Sequence, residues 1–582
     1  MDNGNFVSRF IQNAKSQPEK LALQIPQMEG QVCLSEETVT YGELANLVSA
    51  YQSLWQKKGF KEGDKVIVIL TPSKDSYAIA LSLFSLGIIA VFIDTGMGRK
   101  KIQMAIRDSN AKAIISMTQL IKLFWFIPSL WPLQRYAIDG SGLGYKNLTL
   151  QVSNIQQAMS TQGGGQSLTS IARSDSDHGL ISFTSGSTGR PKGADRTHYS
   201  LIQQHLAIRD HWPDEADDID CPCFPVMVLH NLSCGMTTIM PKVDLAQPSE
   251  VNAALVVEQI RQHKITRLSG APAYINALVN YLHQQPKQLK TVEEVKGLVV
   301  GGATVSKALA SSIKTSFPLA DARIVYGSTE AEPISDVSID EYLAENEIDK
   351  SSVEINSSGY LVGHVASQID LLISNVYELE SSEINESQLL DKRCETGEIG
   401  EILVSGDHVL KQYIDNPSAN RENKIPRANV KETKSVWHRT GDCGYQDAQG
   451  RLWLSGRVKD TVRYGKAIFQ PYPIEQQMDQ DKDVQRSAII HANDQVFLFI
   501  QLIASQDKGR KEALLQRLIN IANVQFNSQA CAGNSEKVVD HIQYVEIDKI
   551  PVDGRHNSKI DRPLLRELLE KNKIKNSHKL AL

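Results

Sequence analysis

Short runs of β-branched and aliphatic residues alternate with amphipathic stretches of helical length through the first half of the chain. That alternation restricts the fold more than any other feature of the sequence. Val66-Ile67-Val68-Ile69-Leu70 has no polar face, as a strand covered on both sides requires, and Ala113 to Ser116 and Gly297 to Val300 read the same way. Stretches such as Ala253 to His263 carry helical spacing between them. Parallel neighbours need a crossover element, so this pattern predicts an α/β architecture with largely parallel sheets. A chain of 582 residues exceeds what one core can serve, so at least two domains are expected. After about Gly456 the pattern restarts as a smaller α+β unit, which gives domains of 1–456 and 457–582.

Two apolar segments require a decision between membrane and core. Tyr77 to Ile93 is just short of the roughly 20 residues that a membrane span needs. Gly87 interrupts it, a β-branched run Ile88 to Ile93 follows, and Asp94 and Gly96 close it. A helix, a tight turn and a buried strand are therefore predicted, with no transmembrane segment. Leu120 to Leu133 contains Phe124, Trp125, Phe126 and Trp131 and is broken by Pro128 and Pro132. Aromatic clusters usually pack inside, so a core segment is expected there in preference to a surface that touches lipid.

Several function classes find no support. The net charge is -5 and no long basic run appears, which argues against a nucleic-acid partner. The 7 cysteines are scattered and odd in number, unlike a secreted disulfide framework. Cys221 and Cys223 lack a second Cys/His pair at zinc-finger spacing and read as strand or core residues. Met1-Asp2-Asn3-Gly4-Asn5 has no basic region leading into an apolar stretch, so a cytoplasmic location is expected.

A Gly, Ser and Asp-rich loop, Gln162 to Asp177, precedes the most informative stretch. Ile181-Ser182-Phe183 reads as a strand end and runs into Thr184-Ser185-Gly186-Ser187-Thr188-Gly189-Arg190-Pro191-Lys192-Gly193. Small residues let backbone N–H groups converge on phosphate oxygens without side-chain clash. The hydroxyls of Thr184, Ser185, Ser187 and Thr188 add donors, and Lys192 brings positive charge for the outer phosphates. No Gly-Lys-Ser/Thr follows a four-residue gap, so this is not a Walker A loop. A flexible linker is the alternative for the loop alone, although a linker needs neither a preceding strand nor Pro191 and Lys192 within it.

The loop resembles the signature of the adenylate-forming superfamily, which includes acyl- and aryl-CoA synthetases, peptide-synthetase adenylation domains and beetle luciferases. That family's other motifs follow in order. Gly301-Gly302-Ala303, after the strand Leu298-Val299-Val300, resembles the adenine-binding segment. Tyr326-Gly327-Ser328-Thr329-Glu330 matches the aromatic-Gly-x-Thr-Glu motif, where the aromatic can stack on a purine. A carboxylate beside triphosphate is useful chiefly as a Mg²⁺ ligand, which makes Glu330 the metal candidate, although the pentapeptide alone also fits a solvated surface turn. Trp437-His438-Arg439-Thr440-Gly441-Asp442 follows, and the resemblance implies that Asp442 accepts the ribose hydroxyls. Tyr445 to Leu454 alternates and turns at Gly450, which predicts a hairpin. Gly456-Arg457-Val458-Lys459-Asp460 matches the family's inter-domain junction, so Arg457 is implied to contact nucleotide and Lys459 to be the hinge. Last, Arg555-His556-Asn557-Ser558-Lys559 puts Lys559 at the position of the family's C-terminal catalytic lysine.

The fold implied is a large N-terminal domain of parallel-sheet α/β subdomains with a small mobile α+β C-terminal domain that carries Lys559. The implied activity is ATP-dependent activation of a carboxylic acid, of medium-to-long acyl length, as acyl-AMP with loss of pyrophosphate. Thr184 to Gly193 would hold the outer phosphates, Mg²⁺ would sit near Glu330, and Lys559 would bridge carboxylate and phosphate; Thr184, Glu330 and Lys559 are the catalytic candidates. Transfer to the thiol of CoA or an acyl carrier protein is the family's usual second step. Three departures bear on that step. Ser558 replaces the Gly before the lysine, Gln412-Tyr413 replaces Gly-Tyr, and the gate reads Pro225-Val226-Met227-Val228 with His230 displaced. Arg555 to Lys559, Trp437 to Arg439 and Gly450 to Trp453 look like the branch that holds fatty-acid-CoA-ligase-like proteins, among them olefin β-lactone synthetases. Closure of a β-hydroxy acid without CoA is therefore the alternative second step.

Overall fold

The computed structural model describes residues 3–161, 168–184, 190–243, 251–345, 359–375, 384–428, 430, 435–464, 467–479, 481, 483–492, 495–503, 514, 516–518, 520, 542–552 and 560–571. Two large sheets dominate. In the first, seven strands run in the spatial order Lys146–Asn147, Gln134–Ala137, Ala113–Ser116, Lys65–Ile69, Ile89–Ile93, His178–Thr184 and Lys192–Thr197. Every neighbouring pair is parallel except the last. The strands Lys65–Ile69, Ile89–Ile93, Ala113–Ser116 and His178–Thr184 therefore all end at one edge. Their residues are buried on both faces, which explains the unbroken apolar runs.

The stretch from Tyr77 to Ile93 folds as its pattern predicts. Ser73 and Ser76 form a capping box for the helix Lys74–Ser85. Gly87 then turns with φ 65°, and the strand Ile89–Ile93 enters the sheet. That positive φ favours glycine, and a Cβ there would also displace the tip of the Arg173 side chain, 2.6 Å away. Among the described residues no helix is long and apolar enough to cross a membrane.

Among the described residues the second sheet has fourteen strands. One half is parallel: Ile219–Pro222, Arg267–Gly270, Gly297–Gly301 and Asp321–Ser328 lie side by side. The other half is antiparallel and is built on the hairpin Asp321–Ser328/Ala331–Ser338 and on the hairpin Val436–Gln446/Arg451–Arg457. Gly450, with φ 76°, turns the latter where the sequence predicted it. Cys221 is buried in the strand Ile219–Pro222, as expected of a strand or core residue, while Cys223 lies just past the strand and packs half-buried against the same core; the described cysteines are free thiols.

A smaller α+β domain lies C-terminal to these sheets. Its strands Val484–Ala492, Gln495–Leu502 and Ile542–Glu546 form one sheet, covered by the helices Pro471–Asp479 and Arg562–Glu570. Arg562 and Glu475, both buried, join the two helices through an Nη2–Oε2 contact of 2.7 Å.

The expectation of a core segment at Leu120 to Leu133 requires correction. Ile121, Ile127, Leu130 and Leu133 are buried, but Leu123, Trp125, Phe126 and Trp131 are exposed. The cause is local geometry. The chain is held in short 3₁₀ turns at Lys122–Phe126 and Pro128–Leu130. Pro128 and Pro132 prevent a longer helix, so the segment offers one narrow inward side and turns its remaining aromatics to solvent.

Candidate active site

Ligands of open α/β sheets bind beyond the carboxyl ends of the strands. The strand Gly297–Gly301 and its parallel neighbour Asp321–Ser328 end together, with Gly301 opposite Val325. Gly302 follows the first of these strands with φ 85°. Gly327 lets the chain reverse immediately, since a Cβ there would approach Ala331 O at 3.0 Å and Glu332 Cγ at 3.1 Å. This tight hairpin sets Tyr326, Ser328, Thr329 and Glu330 at the lip of the sheet.

Three of the sequence-derived residues meet on this lip. Tyr326 is buried and its hydroxyl donates to Asp442 Oδ2 at 2.8 Å. Asp442 is paired across the hairpin with Arg457, and Arg457 Nε lies 3.1 Å from Asp442 Oδ1. Gly441, with φ 73°, lies in the strand Val436–Gln446 where its pairing with Gly400–Gly406 shifts register, and Thr440 Oγ1 accepts from Asp442 N at 3.1 Å. The Asp442 charge holds Arg457 more firmly protonated than an ordinary arginine, and burial, followed by Asp442, raises the Tyr326 phenol well above its usual range. Tyr326 is thus a neutral donor, and Asp442 is a fixed acceptor with a cation beside it.

A second cluster surrounds Glu330. Lys192, opposite Thr184 in the antiparallel pair that flanks the loop, is buried, and its ammonium lies 5.2 Å from the Tyr413 ring centre. The Tyr413 hydroxyl donates to Glu330 Oε1 at 2.8 Å, and Leu410 N donates to Glu330 O at 2.7 Å. Lys424, also buried, lies 5.3 Å from the same ring and donates to Leu410 O. Arg196 is buried and donates to Thr329 O, while its Nη1 has no hydrogen-bond partner among the described residues. Burial pushes the Lys424 ammonium down to about 7 and lowers that of Lys192, with Glu330 opposing both shifts. Glu332 also faces Arg196, and Glu422 faces Lys192, so basic and acidic groups are interleaved around Glu330.

The structure brings Tyr326, Asp442 and Arg457 together, and gathers Lys192 with Glu330. Lys459 falls in the 3₁₀ turn Val458–Asp460 directly after Arg457. Ser185, Gly186, Ser187, Thr188, Gly189 and Lys559 lie outside the described residues.

The model of the AMP-binding enzyme family matches residues 10–414. The chain belongs to the AMP-binding enzyme family. It is similar to an olefin β-lactone synthetase of Stenotrophomonas maltophilia, 28% identical over 575 residues, covering 96% of this chain and 97% of that protein. It is also similar to 4-coumarate–CoA ligase 3 of Arabidopsis thaliana, 23% identical, over 79% of this chain and 76% of that protein. Among solved structures, ATP-bound MatB from Rhodopseudomonas palustris shares the fold, with a TM-score of 0.73 at 19% identity, covering 98% of this chain and 100% of that one.

This AMP-binding enzyme is an AMP-forming acid ligase similar to acyl-CoA synthetases. Three members of its Glu330 cluster escaped the motif reading. Tyr413 stood out only as the residue after Gln412, and Lys424 and Arg196 sit outside every motif. A partial signal existed for Arg196, which lies four residues past Lys192 on the same strand. Gln412, read as a departure, donates to Asp195 Oδ2 at 2.9 Å and so ties the Tyr413 segment to that strand. The buried His205 and His230 and the half-buried Cys234 also have ligand atoms close together. His230 meets His205 Nδ1 through its own Nδ1 at 3.1 Å and Cys234 Sγ through Nε2 at 3.5 Å. Both nitrogens of one imidazole are thereby engaged in opposite directions, an arrangement of linked neutral hydrogen bonds rather than convergence on one cation.

Proposed function

We propose that this enzyme converts an aliphatic β-hydroxy acid to its acyl-adenylate and then closes it to a β-lactone. In the first step a carboxylate oxygen attacks the α-phosphorus of ATP, and the bond to the bridging oxygen breaks as pyrophosphate leaves. Positioning and charge stabilisation carry such a displacement, with little covalent work for the protein. The observation that carries this reading is the pairing of two clusters: Tyr326, Asp442 and Arg457 for a nucleoside, and Lys192, Lys424 and Arg196 around Glu330 for polyphosphate. Asp442 would accept from the ribose hydroxyls, Arg457 would contact the nucleotide, and Gly302, Ala303 and Tyr326 would frame the adenine. Thr184 to Gly189 and Lys192 would hold the outer phosphates, with Gly327, Ser328 and Thr329 beside them. Lys559, brought in by a domain of residues 457–582 turning at Lys459, would bridge carboxylate and α-phosphate.

A Mg²⁺ ion fits this donor set only with ATP. Glu330 offers one carboxylate, and Mg²⁺ characteristically takes one or two carboxylates together with substrate phosphates and water. Bound in that way, the ion would neutralise charge on the phosphates next to Glu330.

In the second step the β-hydroxyl oxygen attacks the acyl carbon, the acyl–phosphate C–O bond breaks, AMP departs, and the hydroxyl proton is released. Tethering gives the nucleophile a high effective concentration without any acceptor tunnel. The support is the correspondence with the olefin β-lactone synthetase along 96% of the chain, where the 4-coumarate–CoA ligase corresponds over 79%. That second relative supports the competing step, transfer to CoA or a carrier-protein thiol, which is the commoner outcome in this superfamily. The deciding experiment incubates enzyme, ATP, Mg²⁺ and a long-chain β-hydroxy acid without thiol and analyses the extract by mass spectrometry. A product lighter than the acid by one water, formed over many turnovers, is expected. AMP release that depends strictly on added CoA or carrier protein would replace lactone closure with thioester formation.

A further inference from the structure

The exposed aromatics of the segment after the strand Ala113–Ser116 form the most unusual surface on the described molecule. Within nine residues, Leu123 is 49% exposed, Trp125 59%, Phe126 71% and Trp131 59%. Single exposed apolar residues need no explanation, but four large ones on one short segment constitute a patch. The segment is anchored rather than dangling, since Ile121, Ile127 and Leu130 are buried beneath it and Arg135 Nη1 donates to Leu130 O at 2.8 Å. The aromatics are therefore held outward by a fixed scaffold.

Basic residues border the patch. Arg99, Lys100 and Lys122 are exposed, and the helix Arg99–Asp108 packs against the turn Pro128–Leu130. Arg99 Nη2 lies 3.5 Å from Phe126 O, which puts its guanidinium at the base of the aromatic ridge. The nearest helical acid, Asp108, is engaged by Arg190 at 3.0 Å. Indole and phenyl rings prefer the boundary between headgroups and acyl chains, and flanking lysine and arginine prefer anionic headgroups. Both preferences are met by one partner.

We propose that Leu123, Trp125, Phe126 and Trp131, with Arg99, Lys100 and Lys122, dock this enzyme on an anionic lipid surface. The ridge lies on the crossover that leaves the carboxyl end of the strand Ala113–Ser116 and returns to the opposite edge at Gln134, which pairs with Ala113, so it runs along the outside of the first sheet. The surface argument stands without any assignment of the acid or acceptor.

Flotation of the full chain with vesicles tests this, without substrate or ATP. Phosphatidylcholine vesicles are compared with phosphatidylcholine–phosphatidylglycerol vesicles. The wild type should float with the anionic vesicles, and about 0.5 M salt should weaken that binding severalfold, because surface charges are screened. The double variant Trp125→Ser/Phe126→Ser should lose about tenfold or more in partitioning, the scale for removing two interfacial rings. Arg99→Glu/Lys100→Glu should lose preference for the anionic vesicles while its thermal midpoint matches wild type. All four side chains are exposed or peripheral, so melting curves distinguish lost docking from lost folding. Wild-type chain that stays with the soluble fraction in both vesicle types would overturn the proposal. Unchanged flotation of the Trp125/Phe126 variant would also overturn it. A concentration-dependent dimer that the same variant abolishes, in the absence of vesicle binding, would assign the patch to a second copy instead.

Discussion

Lys424 shows how a single buried charge can report on this site. Its ammonium is enclosed, faces Arg196, Lys192 and Glu330 as its charged neighbours, and is pushed down to about 7 chiefly by burial. An unfolded chain would hold that proton up to the ordinary lysine range, about 10.4. Between about pH 7 and that range the unfolded state therefore binds more protons than the folded state, and stability rises with pH. Below about 7 both states are protonated and this rise is absent. Lys424→Met removes the titration, so the gain in urea-unfolding free energy from pH 7 to pH 9 should be smaller in the variant than in the wild type. Equal gains in the two proteins would mean that Lys424 keeps its proton in the fold. The same low affinity for a proton makes Lys424 responsive to an arriving polyphosphate, whose negative charge would favour the ammonium form.

At the scale of elements, the site depends on the hairpin formed by Asp321–Ser328 and Ala331–Ser338. This element carries Tyr326 towards Asp442 on one side and Glu330 towards Tyr413 on the other. A Cβ at Gly327 would lie 3.0 Å from a backbone carbonyl oxygen and 3.2 Å from Glu332 Cα, so the facing backbone would have to give by a few tenths of an ångström. Backbone cannot yield as a flexible side chain can. Gly327→Ala should destabilise the protein by about 1–3 kcal/mol, the usual scale for overpacking. It should also raise the KM for ATP at least severalfold, because Tyr326 and Glu330 move with the hairpin. A melting temperature and KM indistinguishable from wild type would show that the turn relaxes freely and does not position these residues.

On the scale of the whole molecule, the chemistry needs two substrates aligned at one pocket and then a second reaction at the same carbonyl. A second domain that moves between steps serves this purpose in enzymes that run two reactions in one place. Lys459 sits in the short turn after Arg457, where the chain leaves the large sheet. Lys459→Pro fixes φ there and removes an N–H donor. Pyrophosphate exchange and release of final product should then respond differently, with one step slowed by about tenfold or more relative to the other. Wild-type rates for both steps would remove Lys459 from the hinge role.

Much of the site was legible because its parts are contiguous. Tyr326 to Glu330, Thr440 to Asp442 and Gly456 to Lys459 each occupy a few consecutive residues, and Gly441, with φ 73°, takes a backbone conformation that favours glycine. The unbroken apolar runs likewise revealed the parallel strands, since a strand covered on both faces has no polar side to display. Other features became visible only in three dimensions. Arg196, Tyr413 and Lys424 come from separate segments and matter because burial brings their charges and ring around Glu330, a relation that spacing along the chain does not encode. The aromatic segment Leu123 to Trp131 illustrates the same limit in reverse. Composition alone favours its burial, but two prolines and short 3₁₀ turns leave it one narrow inward side, already filled by Ile121, Ile127 and Leu130. The sequence by itself determined the apolar strand runs and the short contiguous motifs that lie on or beside them. Tertiary packing decided which distant side chains surround them and which apolar groups were left facing outward, because burial belongs to the assembled sheets and not to any one stretch of chain.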